Sequence, residues 1–185
     1  QHCANVSNTV TVDPKVIAAA DTGTSVAADT GGTAFTNVAS NDIVNGLAAT
    51  LGASGNATVT KVTTPTAWPT GIDLTAAGAI TVANPTAPGS YNVTYRLCDK
   101  LTVPTCATRQ VTVTVTPVVT AQADSAPDVT KPTTGTVNAI ANVASNDMVN
   151  GVAATLGTSG NSTISEVGTW PTDISLNTTT GAVVI

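Results

Sequence analysis

The chain repeats itself, and that limits what it can fold into more than any other feature of its sequence. Asn37-Val-Ala-Ser-Asn-Asp42 returns as Asn142-Val-Ala-Ser-Asn-Asp147. The match runs on through Val44-Asn45-Gly46 and Val149-Asn150-Gly151, then Ala48-Ala-Thr-Leu-Gly52 and Ala153-Ala-Thr-Leu-Gly157. Ser54-Gly55-Asn56 becomes Ser159-Gly160-Asn161, and Trp68-Pro69-Thr70 becomes Trp170-Pro171-Thr172. The offset is 105 at Asp42, 102 at Trp68 and 103 at Gly78, so small loop insertions interrupt one period. A further alignment sets the phase: Cys3 precedes Asp21 by 18 positions, as Cys106 precedes Asp124. Residues 1–14 then read as the last strand of a preceding repeat, 15–117 as a complete repeat and 118–185 as an incomplete second one.

Within the period the pattern is that of strands. Val111, Val113 and Val115 alternate with Thr112, Thr114 and Thr116, which gives one apolar and one hydroxylic face. Tyr91, Val93, Tyr95 and Leu97 alternate with Asn92, Thr94 and Arg96, and the two runs bracket a turn region, so they should pair as a hairpin. Strands are expected near 16–20, 24–28, 33–38, 47–51, 57–64, 71–75, 79–83, 90–98 and 107–116. Asn45-Gly46 and Asn150-Gly151 are turn signals, because both residue types tolerate positive φ. No window sustains a helical period. Many short strands in a unit of roughly one hundred residues predict an immunoglobulin-like antiparallel β-sandwich. The repeats join at Asp13-Pro14-Lys15 and Thr116-Pro117-Val118, where proline stiffens the chain, so a semi-rigid rod is expected.

Composition agrees and excludes several functions. Of the 185 residues 42% are hydrophobic, but only 3% are aromatic, so the core must come mainly from Val and Ala. Branching at Cβ favours a pleated surface over a helix. Only 9% of residues are charged and the net charge is −5, which leaves no basic surface for a phosphate backbone; nucleic acid is not an expected partner. No apolar run approaches the ~20 residues of a membrane-spanning helix. The chain does not open on Met and carries no visible signal peptide, so it reads as an internal or processed segment.

Few residues invite chemistry. Cys98 and Cys106 stand at facing ends of the expected hairpin, and a bridge between them is the favoured reading over two free thiols. Cys3 is the counterpart of Cys106, and its partner would lie upstream. Asp21, Asn41, Asp42 and Asn45 recur as Asp124, Asn146, Asp147 and Asn150. Such residues near a junction can offer hard oxygens to calcium; alternatively they form Asx-turns and cap loop backbone. Ile43-Val44 interrupt any run of carboxylates, so the expectation is no cofactor, with calcium on Asp21, Asn41, Asp42, Asp124, Asn146 and Asp147 as the minor alternative. Trp68 and Trp170 are expected in a core or lid rather than on a sugar platform. Sequons at Asn5, Asn56, Asn92, Asn161 and Asn177 are frequent by chance in so Asn- and Thr-rich a chain. His2 is the sole histidine, and no nucleophile elbow or phosphate loop is present, so the chain is not read as an enzyme.

Val38-Ala-Ser-Asn-Asp42, Asn45-Gly46, the run Tyr91-Asn-Val-Thr-Tyr-Arg-Leu-Cys-Asp99, and Cys106 followed by Val111-Thr-Val-Thr-Val115 resemble the immunoglobulin-like (cadherin-like) repeats of giant bacterial adhesins and biofilm-associated surface proteins. The resemblance spans essentially the whole chain, although the calcium-type N-D-x-D-x-D-G stretch of many relatives is missing. It implies an extracellular or cell-surface location and a role as an adhesin stalk or matrix fibre, with adjacent repeats or copies of the same protein as partners. Two further readings compete. In one, chains form a filament by strand donation, with Val6, Val10 and Val12 as the donated side chains that would complete the second sandwich of a neighbour. In the other, the chain is a carbohydrate-binding module.

Overall fold

The computed structural model describes residue 3 and residues 7–185. The first repeat holds ten strands: β1 (Val16–Ile17), β2 (Val26–Ala27), β3 (Gly32–Phe35), β4 (Ile43–Val44), β5 (Leu47–Ala48), β6 (Ala57–Val62), β7 (Ile72–Leu74), β8 (Ile80–Val82), β9 (Gly89–Asp99) and β10 (Cys106–Thr116). The second holds six: β11 (Val119–Thr120), β12 (Asn138–Ile140), β13 (Met148–Val149), β14 (Val152–Ala153), β15 (Ser175–Leu176) and β16 (Val183–Val184). No helix occurs among the described residues. The chain is an all-β protein of immunoglobulin-like sandwich architecture.

In the first repeat a four-stranded sheet, β2-β10-β9-β6, is joined by two three-stranded sheets, β3-β8-β7 and β1-β4-β5. The β9–β10 ladder runs in register from Cys98↔Cys106 to Gly89↔Val115, so the Val–Thr alternation read from the sequence puts Val111, Val113 and Val115 inside. Val93, Tyr95 and Leu97 of β9 are buried with them, and Ile72, Ile80, Val82, Ala34 and Phe35 from β3-β8-β7 complete a single core. Within this antiparallel architecture one short pair is parallel, β2 beside the end of β10 at Val26↔Val115. No hairpin constrains these two strands, because most of the repeat separates them in sequence. The strand expected at 47–51 is β5 at Leu47–Ala48 alone, and a strand not expected from the sequence, β4, forms a tight hairpin with it around Asn45-Gly46, whose φ values are 51° and 81°.

The second repeat is a natural control on what makes a strand. Its sheets β11-β13-β14 and β12-β16-β15 repeat β1-β4-β5 and β3-β8-β7. What it lacks are the counterparts of β2 and β6, although the sequence for both is there. In the first repeat β2 pairs only with β10 and β6 only with β9. Residues 118–185 contain no counterpart of β9 or β10, and Ser162-Thr-Ile-Ser-Glu-Val167, aligned with Ala57–Val62, forms no ladder; Val167 is 86% exposed. Residues 7–15 behave alike. The last strand expected there takes no pairing, and Val10 and Val12 are 84% and 85% exposed where their counterparts Val113 and Val115 are buried. Alternation makes a segment competent for a sheet, and a neighbouring strand makes it one. Val6, named with Val10 and Val12 as a donated residue, lies outside the described residues, as do His2 and Asn5.

Candidate functional site, the grip on the inter-repeat linker

The recurring Asn and Asp residues converge on the segment that leads into each repeat. Asn45, at the β4–β5 turn, accepts the Lys15 N–H on its side-chain oxygen at 2.8 Å, while its own backbone N–H donates to the Lys15 carbonyl at 2.8 Å. The residue after the linker proline is thus held on both its polar groups. Asp42 accepts the Ala19 N–H at 2.7 Å, and the Asn41 amide donates to the Ala20 carbonyl at 2.7 Å. The second repeat reproduces all of it. Asn150 holds Val118 in the same two bonds, Asp147 accepts the Gln122 N–H at 2.8 Å, and Asn146 donates to Ala123 at 3.2 Å. Backbone donors and acceptors in so irregular a segment need partners, and short Asx side chains supply them. Only two residues, Pro117 and Val118, separate β10 from β11, so the grip sets the direction in which one repeat enters the next.

Asp99, which sequence reasoning did not single out, ties this grip to the end of the β9–β10 hairpin. It is buried, accepts the N–H groups of Leu101 and Thr105, and receives the Asn45 amide at 3.4 Å. Beside it Cys98 and Cys106 lie directly opposite in register and form a disulfide, with Cα atoms 4.1 Å apart. Cys3 is exposed and unpaired within the chain.

Deeper in the first repeat, Asp21 and Asp42 meet at the hydroxyl of Tyr95. The Tyr95 O–H lies 2.9 Å from Asp21 Oδ2, 3.0 Å from the Val38 carbonyl and 3.2 Å from Asp42 Oδ2. A phenol has one proton to donate, so these three acceptors compete for it. Burial pushes the Asp21 carboxyl above the usual range, with the Tyr95 bond opposing and the Asp42 charge adding to the rise. Burial likewise raises Asp42, against the Ala19 N–H, the Tyr95 bond and Arg109. The Tyr95 phenol is itself pushed well up, by burial first and then by Asp21. Arg109, opposite Tyr95 on β10, is the cation that offsets the pair.

A pH dependence follows, with a definite sign. A carboxyl whose folded pKa is raised adds stability that is complete below the unfolded value, about 3.9, and is lost as pH rises through the folded value. The Asp42→Asn variant, which mimics the protonated acid, should therefore gain stability relative to the parent as pH rises from about 4 to 8. Unfolding in denaturant across that range measures the difference; a variant that falls behind the parent with rising pH contradicts the assignment.

Other candidates are used locally. Among the described residues no group of three or more His, Cys, Asp or Glu side chains is gathered as a metal site would require. Asp124, the counterpart of Asp21, is exposed, and no tyrosine stands by it. Trp68 is half-buried, donates its indole N–H to the Thr94 carbonyl at 3.1 Å and carries the Lys61 ammonium 5.6 Å over its ring. Asn56 and Asn161 close matching loops, each accepting a threonine N–H and donating to an alanine carbonyl. Asn92 accepts the Thr112 hydroxyl, and Asn177 accepts the N–H groups of Thr179 and Thr180. No helix of the described residues is long and apolar enough to cross a membrane.

No protein-family model matches the chain, and a search of curated proteins finds no match. Among solved structures it is similar to a protocadherin gammaB7 EC3–6 cis-dimer, at 14% identity and a TM-score of 0.33. That alignment covers 92% of this chain and 41% of the protocadherin chain. The assignment to an immunoglobulin-like sandwich rests on the strand pairing and the core.

Proposed function

We propose that the chain is a structural repeat segment of an exported bacterial surface protein, serving as an adhesin stalk or extracellular matrix fibre, and that it performs no catalysis. The observation that carries this reading is the duplicated grip: the same three Asx side chains fix the linker of both repeats across a very short Pro-containing joint. A spacer needs joints that resist swinging, and a hydroxyl-rich surface with few charges suits a protein that works outside the cell. The Cys98–Cys106 disulfide supports an oxidising compartment.

A second reading is a filament of short chains joined by strand donation, favoured by Val10 and Val12, which lie exposed while their counterparts in β10 are buried. One experiment addresses both readings. An antibody raised against residues 15–117 is applied to intact cells, and the native material is sized under denaturing, non-reducing conditions. Surface labelling of one very long polypeptide is expected; short denatured chains that assemble only when folded would favour the filament, and an antigen found only inside cells would overturn both.

A further inference from the structure

Gly151 is seated against the first repeat. A Cβ placed on it would lie 2.7 Å from the Asn84 side-chain oxygen and 3.0 Å from the Asp29 Cα. Its neighbours Val149, Asn150 and Val152 face Pro85–Pro88 across a shallow cleft. The joint is therefore a packed contact between the β13–β14 turn of one repeat and two loops of the other, near Asp29–Gly31 and Asn84–Pro88.

The first repeat presents the same turn without such a contact among the described residues. The φ values of Asn45 and Gly46 are 51° and 81°, against 52° and 78° for Asn150 and Gly151. Yet among the described residues nothing beyond its immediate chain neighbours lies within 4 Å of where a Gly46 Cβ would be. Beside the turn two large apolar side chains are exposed, Leu47 at 68% and Leu101 at 51%. Asp13, Pro14, Lys15, Asn45, Gly46 and Leu101 line one groove there, together with Val12. Single exposed apolar residues mean little, but several gathered at one end of a domain mark a contact surface.

We infer that this end of the first repeat, the Asn45–Gly46–Leu47 turn with Leu101, is a docking surface for another repeat of this sequence. That repeat would seat the turn with the same two loops, Asp29–Gly31 and Asn84–Pro88, that receive Gly151. The inference rests on the tandem-repeat reading above and adds to it the residues of the interface and its polarity: turn into loops, head to tail.

The test replaces residues 1–13 by a second copy of residues 15–116, so that the added repeat runs through Pro14 as Thr116 runs through Pro117. Amide exchange at Gly46 and Leu47 should slow by about tenfold or more in the extended chain, and Gly46→Ala in that chain should abolish the protection. Unchanged exchange overturns the inference. Small-angle scattering separates this failure from that of the tandem reading: a chain longer by one repeat with unchanged exchange loses only the docking, and a chain no longer than the parent loses both. A second measurement needs only the parent chain. Gly46 and Gly151 share the left-handed backbone, so alanine strains both alike. Gly151→Ala must additionally loosen the joint and speed exchange on β13 and β14; if it is no more disruptive than Gly46→Ala, the template contact is unpacked and the inference falls.

Discussion

Tyr95→Ala is expected to lower the stability of the first repeat by about 3–5 kcal/mol, the range for removing a large buried aromatic side chain. Tyr95 is fully buried on β9 amid the apolar residues of both sheets, so truncation leaves a cavity. The hydroxyl has a separate role. Tyr95→Phe keeps the ring but removes the donor that Asp21, Asp42 and the Val38 carbonyl share, leaving the fully buried Asp42 with one oxygen unserved. A buried acceptor without a partner costs about 1–3 kcal/mol. Because two carboxyls are involved, the loss in Tyr95→Phe should be larger at neutral than at acidic pH, where a protonated acid can take the vacated place as donor. Exchange of the β9 and β10 amides, compared at both pH values, measures this repeat by itself. A phenylalanine variant as stable as the parent at neutral pH contradicts the assigned role of the hydroxyl.

The second large effect is expected at the disulfide. Replacing Cys98 and Cys106 together by alanine should destabilise the repeat by about 2–3 kcal/mol, a modest value because the loop is short. Only 8 positions separate the two cysteines. The damage should spread in one direction. Asp99 adjoins the bridge, organises the turn through Leu101 and Thr105, and touches Asn45. Amides of Leu101 and Thr105 should therefore lose protection first, then that of Lys15, while β7 and β8 keep theirs. Uniform loss across the repeat, or none at Lys15, would mean that the hairpin end and the linker grip are uncoupled.

The sequence was most informative where a repeat or an alternation reports directly on burial. Valine at every second position of 111–115 marked the inside of β10, and the offset between the two copies picked out the recurring Asn and Asp side chains. It was misleading where pairing decides. Ser162–Val167 carries the pattern of β6 and residues 7–13 that of β10, yet neither forms a strand, because a ladder needs a partner that a sequence window does not display. The hairpin of β4 and β5 was half-missed since Ile43-Val44, read as an interruption of a ligand run, is itself a strand. The Asx residues were recognised by recurrence, but their targets, the N–H groups of Lys15 and Ala19, lie 30 and 23 residues away in sequence, and no local pattern names them. Tyr95 and Asp99 had a usable signal: a polar tip at an inward position of an alternating strand, and an acid directly after a bridged cysteine.

A rigid joint is the centre of the proposed role, and a distance distribution measures it. Spin labels at Thr60→Cys on β6 and Ser175→Cys on β15, both exposed positions on paired strands of different repeats, with Cys3→Ser to remove the free thiol, report the spread of inter-repeat separations. The grip by Asn150 predicts one narrow distribution that broadens markedly in Asn150→Ala, which loses the side-chain bond to Val118. A broad distribution in the parent chain, or a narrow one that Asn150→Ala leaves unchanged, would contradict the fixed joint.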